Sequence, residues 1–368
     1  MKIVCSQENL MKGLNTVSRA VPVRTTLDIL KCILIRSEGD KLVLTGNDTS
    51  LGIETRIDAL VFEEGTIALD AALFSSIVRS LPESDVTIET GARDDVTVSC
   101  EKAKFNIPGR DADSFISLPT VNYEGKVTVS QYTVREMINQ VVFSIADSNL
   151  NAAMAGVYLE VFDDKIRMTT LDGHRISVRV NELNASYAKI SAIVPGKTMN
   201  DLAKIIAGDR DKEMNLLFSK NHILFEFDNT TMVSRIIDGE YFKIESMLRE
   251  DYETHIKINK KDLQDCLNRS TLLINESDKK PVIMNITDED MSLSLKSQLG
   301  NWGEKISVEK TGKDLKIAFN PKLLLDALRV IDDEEIDIYM VKYNFPCTIK
   351  DQEGHYTYVV LPVNFTEE

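Results

Sequence analysis

A chain that repeats itself at long period must fold as a string of similar domains, and this one does so three times at a spacing near 125 residues. The first unit opens with Ser6-Gln7-Glu8-Asn9-Leu10, followed by Leu14 and Val17. The second opens with Ser130-Gln131-Tyr132-Thr133-Val134, then Ile138 and Val141, and the third with Asn259-Lys260-Lys261-Asp262-Leu263, then Leu267 and Ser270. In each, Ser or Asn is placed to cap a helix, and apolar residues follow at helical spacing. A short β-like run precedes every copy: Lys2-Ile3-Val4, Lys126-Val127-Thr128-Val129 and His255-Ile256-Lys257-Ile258. A second helix is predicted over 69–81, 195–206 and 320–331, with Asp70 and Asn320 as caps and Pro195 and Pro321 suited to a first turn.

Short runs with period-two alternation follow each second helix and read as strands. They cover 85–89, 213–217 and 335–339, then 96–98, 223–225 and 346–349, then 104–107, 232–236 and 356–360. No long crossover helix lies between strands, so the sheets should be mainly antiparallel. The expected fold is α+β: three repeated domains of mainly antiparallel sheet with two helices each. Polar stretches at Asn122-Tyr123-Glu124-Gly125 and Arg249-Glu250-Asp251 mark the joints and give domains over 1–123, 126–250 and 254–368.

Several function classes find no support. No window approaches 18 uninterrupted apolar residues, and MKIVCSQENL lacks the long apolar core of a signal peptide, so a cytoplasmic protein without a membrane partner is expected. Five cysteines stand singly, with no C-x-x-C pair, which argues for reduced, buried thiols. Phosphate-loop, dinucleotide, nucleophile-elbow and H-E-x-x-H patterns are absent. The four histidines are far apart in sequence, and acidic pairs such as Asp332-Asp333 read as solvated turns. The net charge of −15 by itself argues against nucleic acid. Its distribution argues otherwise. The six helical segments together carry +4 and the rest −19, which fits a molecule that holds DNA on one side only.

Three segments make the reading specific. These are Leu171-Asp172-Gly173-His174-Arg175-Ile176 after a strand, Arg24-Thr25-Thr26-Leu27-Asp28-Ile29-Leu30 after the first helix, and the terminal Tyr358-Val359-Val360-Leu361-Pro362-Val363. Joined to the threefold repeat, they resemble the bacterial DNA polymerase sliding clamps over essentially the whole chain. The resemblance implies a head-to-tail homodimer assembled as a closed ring, the DNA clamp fold, with helices lining the hole. It implies duplex DNA encircled without regard to sequence, and replicative polymerase, clamp loader and repair proteins held through linear motifs. It implies no catalytic site, no cofactor and no metal. Packing geometry agrees: at roughly 10 Å per helix, six helices leave a hole of only about 9 Å, whereas twelve leave about 28 Å, enough for a duplex.

Site residues carry over by position. Gly173, His174, Arg175 and Ile176 match the core of the family's peptide pocket, together with Val359, Val360, Leu361, Pro362 and Val363. Tyr158, Leu171, Phe242, Ser246 and Met247 match its walls. Leu171 stands where Thr is usual, Phe242 where Pro is usual, Ser246 where Arg is common and Asn364 where a basic residue often follows. Read from the residues alone, Val359–Val363 is a terminal strand and Gly173-His174 a turn. Arg24 matches a loop arginine that faces DNA. Asn149 and Asn151 match a DNA-contacting loop, where Asn151, Ala152 and Ala153 replace the aromatic residues of some members. Lys12, Arg19, Arg79, Lys197, Lys204, Lys260 and Arg269 are diffuse candidates for the same contact, and Phe105, Leu272 and Leu273 match subunit-interface positions.

Two other readings stay open from the sequence: an enzyme whose carboxylates bind metal for phosphoryl transfer, and a scaffold that binds proteins but no DNA.

Overall fold

The structure is a computed structural model that describes residues 1–147, 151–248, 251–275, 280–288 and 290–365. The six α-helices among the described residues are α1 (Gln7–Val17), α2 (Ala71–Ser80), α3 (Gln131–Val141), α4 (Gly196–Ile205), α5 (Lys260–Thr271) and α6 (Pro321–Leu328). Each falls inside a segment read as helical from the sequence. The caps are made: Ser6 Oγ accepts from Asn9 N, Asp70 Oδ1 from Leu73 N, Asn259 Oδ1 from Asp262 N and Asn320 Oδ1 from Lys322 N. Pro195 is the exception, because it ends the preceding strand and leaves the helix to start at Gly196. Residues 18–20 and 142–144 tighten into single 3-10 turns, so α1 and α3 stop sooner than their apolar spacing suggested.

The chain forms two compact units, residues 1–132 with 201–236 and residues 133–200 with 237–368. In the first, a five-stranded sheet runs in the order Leu60–Glu63, Lys2–Ser6, Asp85–Thr90, Asp95–Cys100, Ala103–Pro108. An eight-stranded sheet runs Gly125–Ser130, Glu213–Phe218, His222–Phe227, Thr230–Arg235, Leu51–Asp58, Lys41–Asn47, Cys32–Glu38, Thr66–Asp70. In the second unit, seven strands run Gly156–Leu171, Arg175–Pro195, Tyr356–Val360, Cys347–Lys350, Glu335–Met340, Thr254–Asn259, Glu309–Gly312. Four more run Gly300–Ser307, Asp290–Ser297, Val282–Ile286, Leu315–Phe319. Every paired strand is antiparallel, Lys2–Ser6 with Asp85–Thr90 and Thr230–Arg235 with Leu51–Asp58 among them.

Helices cover the sheets by their apolar stripes. Leu10, Gly13, Leu14 and Val17 of α1 are buried against α2 and the strand Leu51–Asp58. A side chain at Gly46, on the strand Lys41–Asn47, would meet the backbone carbonyl oxygen of Val17 at 2.3 Å, so the close approach of that strand to the end of α1 requires glycine. In the other unit, Leu263, Cys266 and Leu267 of α5 share one core with Leu324, Leu325 and Leu328 of α6, and each buried leucine contributes about 1.5–3 kcal/mol.

The repeat is also a repeat of hydrogen bonds. The first residue of the first helix donates its backbone N–H to the segment ahead of the next strand: Gln7 to Ser84 O, Gln131 to Lys212 O and Lys260 to Glu334 O. The same three side chains then reach the far end of the second helix or the residues just beyond it. Gln7 Nε2 donates to Val78 O at 2.9 Å, Gln131 Oε1 accepts from Ala207 N at 3.0 Å, and Lys260 Nζ donates to Ile331 O at 2.5 Å.

Candidate functional site

The strands Gly156–Leu171 and Arg175–Pro195 form a long hairpin closed by the pair Leu171–Ile176. Gly173 at its tip has φ +87°, in the left-handed region that glycine enters without steric cost. Asp172 holds the turn. Its Oδ1 accepts from His174 N at 2.9 Å and Arg175 N at 3.2 Å, while its own N–H donates to Arg175 O at 3.3 Å. The Arg175 guanidinium is turned inward. It donates to Asp172 Oδ2 at 2.8 Å, Asp326 Oδ2 at 2.6 Å and Phe143 O at 2.8 Å, and lies 5.3 Å from the centre of the Phe143 ring. Burial works against this charge, but the bond to Asp326 and the field of Asp172 outweigh it and raise the pKa further. Arg175 therefore fastens α6 and the 3-10 turn after α3 to the hairpin tip.

Above the turn lies an apolar cavity of about 400 Å³. Leu171, Gly173, His174, Arg175 and Ile176 supply its floor, and Phe242, Met247, Val359 and Leu361 its sides. These nine were all singled out in the sequence. Phe242 and Met247 are set by the segment beneath them. Ile237 N donates to Ile193 O at 2.8 Å, Tyr241 stacks on Tyr158 with ring centres 4.7 Å apart, and Ile244 is 2% exposed among Leu171, Ile176, Val178 and Val359. Tyr241 in turn meets Phe242 edge-on at 6.0 Å.

Five expected pocket residues lie elsewhere. Strand parity removes Val360: Val359 packs with Leu171 and Ile176, whereas Val360 faces the opposite core with Tyr356 and Tyr358. Tyr158 supports the wall from behind through Tyr241. Ser246 points to solvent, Pro362 lies outside the cavity, and Val363 is fixed to the neighbouring sheet by donating its N–H to Ala318 O at 2.8 Å. Met154 and Pro346 line the cavity without having been anticipated. Neither sits in a motif. Pro346 is placed only by the pairing of Cys347 with Val360, which no local pattern announces.

What the cavity offers is shape and apolar surface. Leu361, Met247 and Phe242 are 42%, 46% and 38% exposed around its mouth, a concave apolar patch of the kind that takes up a partner's side chains. Among the described residues no three His, Cys, Asp or Glu side chains are grouped to hold a metal ion.

The candidates for DNA contact separate into spent and available charges. Arg19 pairs with Asp201 at 3.4 Å, and Arg269 donates from two nitrogens to Glu304. Lys260 is committed to Ile331 O, and Asn151 Oδ1 accepts from Ala153 N at 2.9 Å. Lys197 is exposed at the start of α4. Asn149 lies outside the described residues. Lys12, Arg79 and Lys204 are exposed and have no ion partner among the described residues, and Arg135, Lys261 and Lys322 share that state, which gives each helix one such cation. Arg24 stands exposed in the loop after α1, beside a Val23 that is 98% exposed. Of the interface candidates, Phe105 is 37% exposed on the edge strand Ala103–Pro108, Leu272 is 78% exposed just after α5, and Leu273 is half-buried. Among the described residues, the outer edges of Ala103–Pro108 and Gly300–Ser307 pair with no further strand.

Comparison with known proteins gives this architecture its class, that of a clamp of the DNA replication machinery. Family models for the DNA polymerase III beta subunit match from end to end: the N-terminal domain over residues 1–119, the central domain over 128–243 and the C-terminal domain over 245–364. A crystal structure of a putative DNA polymerase III beta subunit from Eubacterium rectale is 52% identical, with a TM-score of 0.95, covering 99% of this chain and 100% of that one. The DNA polymerase sliding clamp of Bacillus subtilis superposes with a TM-score of 0.95 at 28% identity, over the full length of both chains. The beta sliding clamp of Staphylococcus epidermidis is 28% identical over 374 residues, 99% of each. The chain belongs to the DNA polymerase III beta subunit family, and it is a non-catalytic processivity clamp.

Proposed function

We propose that two copies of this chain close head to tail around duplex DNA and that the cavity at the Gly173 turn tethers replication and repair proteins by short linear motifs. The observation that carries the tethering is the cavity itself, apolar and fixed in shape by the bonds of Asp172 and Arg175. An aliphatic or aromatic anchor entering it is stabilised by about 1.5–3 kcal/mol, so two or three anchors reach micromolar affinity after association costs. Partners held that weakly exchange on one ring, as polymerase, clamp loader and repair proteins must.

One exposed cation on each helix without an ion partner among the described residues, Lys12, Arg79, Arg135, Lys204, Lys261 and Lys322, supports weak, sequence-independent contact with the duplex, and these are the proposed contacts together with Arg24, Asn149 and Lys197. Two of the open sheet edges, Ala103–Pro108 and Gly300–Ser307, with Phe105, Leu272 and Leu273, are the proposed dimer contacts. The three sequence repeats, 1–123, 126–250 and 254–368, are the proposed domains, and the cytoplasm at the nucleoid is the proposed location. No helix among the described residues is long and apolar enough to cross a membrane.

Sedimentation at micromolar concentration tests the ring. A species of twice 41.3 kDa is expected, and a purely monomeric protein would count against it. Loaded onto circular duplex DNA by a clamp loader, the protein should stay bound and should leave when the DNA is linearised. Tight binding to a short linear oligonucleotide in a sequence-specific manner contradicts the proposal.

A further inference from the structure

Met154 forms one side of the cavity from outside the strands that supply Leu171, Arg175, Ile176 and Val359. It sits in the 3-10 turn Ala152–Ala155, and its position depends on three hydrogen bonds. Asn151 Oδ1 accepts from Ala153 N at 2.9 Å, Asn151 O accepts from Met154 N at 3.1 Å, and Met154 O accepts from Ala146 N at 3.0 Å. The Met154 side chain packs on the small core of Leu171, Ile176, Val178, Ile244 and Val359. Two of these bonds come from Asn151, one through its side chain. Ala153 is 6% exposed, so its N–H has no ready replacement partner in water.

We infer that Asn151 is a positioning residue of the partner cavity: by capping the Ala152–Ala155 turn it fixes the wall made by Met154. The inference rests on the reading of the cavity as a peptide site. Its physical basis is the pliancy of methionine. An unbranched side chain adapts to many shapes, so its place is decided by the backbone that carries it. Without the Asn151 carboxamide the turn loses its cap, Met154 settles into the cavity or out of it, and an incoming anchor must first reorder the wall. The side chain that resemblance assigned to DNA contact is thus already engaged with its own backbone.

The test compares Asn151→Ala with Asn151→Asp, since Asp caps as well as Asn while reversing any benefit to a phosphate contact. The probe is a fluorescent pentapeptide with two leucines and a phenylalanine, measured by anisotropy on the full-length protein. Asn151→Ala should weaken binding about three- to tenfold, and Asn151→Asp should restore it. The Met154 methyl resonance of the peptide-free protein should move in Asn151→Ala and return in Asn151→Asp. A probe that fails to bind the unaltered protein removes the peptide-site reading and the inference with it. A probe that binds all three proteins equally overturns the inference alone, as does a Met154 resonance that stays in place. Equal peptide binding together with poorer retention of Asn151→Asp on circular DNA would return Asn151 to the nucleic-acid contact.

Discussion

The ammonium of Lys260 donates to the carbonyl of Ile331 at 2.5 Å and so ties the start of α5 to the chain leaving α6. A lysine here does the work that a glutamine does in the other two repeats, so its ammonium is anchored at Ile331 and not free to swing toward DNA, although its charge is not neutralised. Replacing Lys260 with Ala should destabilise the protein by about 1 kcal/mol, read as a lower urea midpoint. Retention on circular DNA should be unchanged. Lys260→Gln should recover most of the stability, because a carboxamide spans the same gap in Gln7.

Around the cavity, Leu361 and Val363 make a discriminating pair. Both are exposed, yet only Leu361 lines the site, while Val363 is held by Ala318 O. Leu361→Ala should weaken peptide binding about tenfold and leave the melting temperature nearly unaltered. Val363→Ala should change affinity less than twofold. Equal losses from the two would place the peptide along the C-terminal strand and not in the cavity.

Contacts with phosphate are best separated by salt. Lys12→Ala and Arg24→Ala should each lower the dependence of DNA retention on log salt by about one unit of slope. Arg269→Ala should have a smaller effect, because Glu304 already neutralises that guanidinium. The hydrogen bond and positive charge of Arg269 also hold the Glu304 carboxyl below its ordinary pKa.

Acid should act on the first unit through His222. Burial, aided by the charge of its cross-strand neighbour Arg235, holds this imidazole below its ordinary pKa. The unfolded chain takes up a proton near pH 6.5, about the free value, while the folded chain resists it to lower pH. His222 therefore costs no stability above that pH and costs progressively more as pH falls toward its folded pKa. Urea midpoints taken from about pH 7.5 to about pH 5.5 should fall less for His222→Gln than for the unaltered protein.

Helices were legible because their signals are local: a cap, a three-to-four spacing and a stop within a dozen residues. The hairpin Gly156–Leu171 with Arg175–Pro195 was not, since its strands of 16 and 21 residues carry long polar stretches that break the apolar alternation. The turn Asp172-Gly173-His174-Arg175 was legible from four consecutive residues, but the cavity above it was reached only through the family resemblance, which picked out nine of its eleven lining residues. Val360 was misplaced because a run of two valines does not reveal which one faces which core. Met154 was invisible for a different reason: what defines it is the bond to Asn151, and nothing in a lone methionine after two alanines points to that.

Sheet membership divides the middle repeat. Glu213–Phe218, His222–Phe227 and Thr230–Arg235 complete a sheet with strands from residues 32–70, while the long hairpin of residues 156–195 joins strands from residues 254–360. Among the described residues no sheet belongs to that repeat alone. Residues 126–250 made as an isolated fragment would expose raw strand edges on every side and would aggregate before they folded. Grafting between related clamps faces the same restriction. A chimera joined at the repeat boundaries breaks two sheets, whereas one that moves residues 133–200 together with 237–368 keeps every strand beside its native neighbour. The period of the sequence and the seams at which the molecule tolerates recombination are therefore out of step.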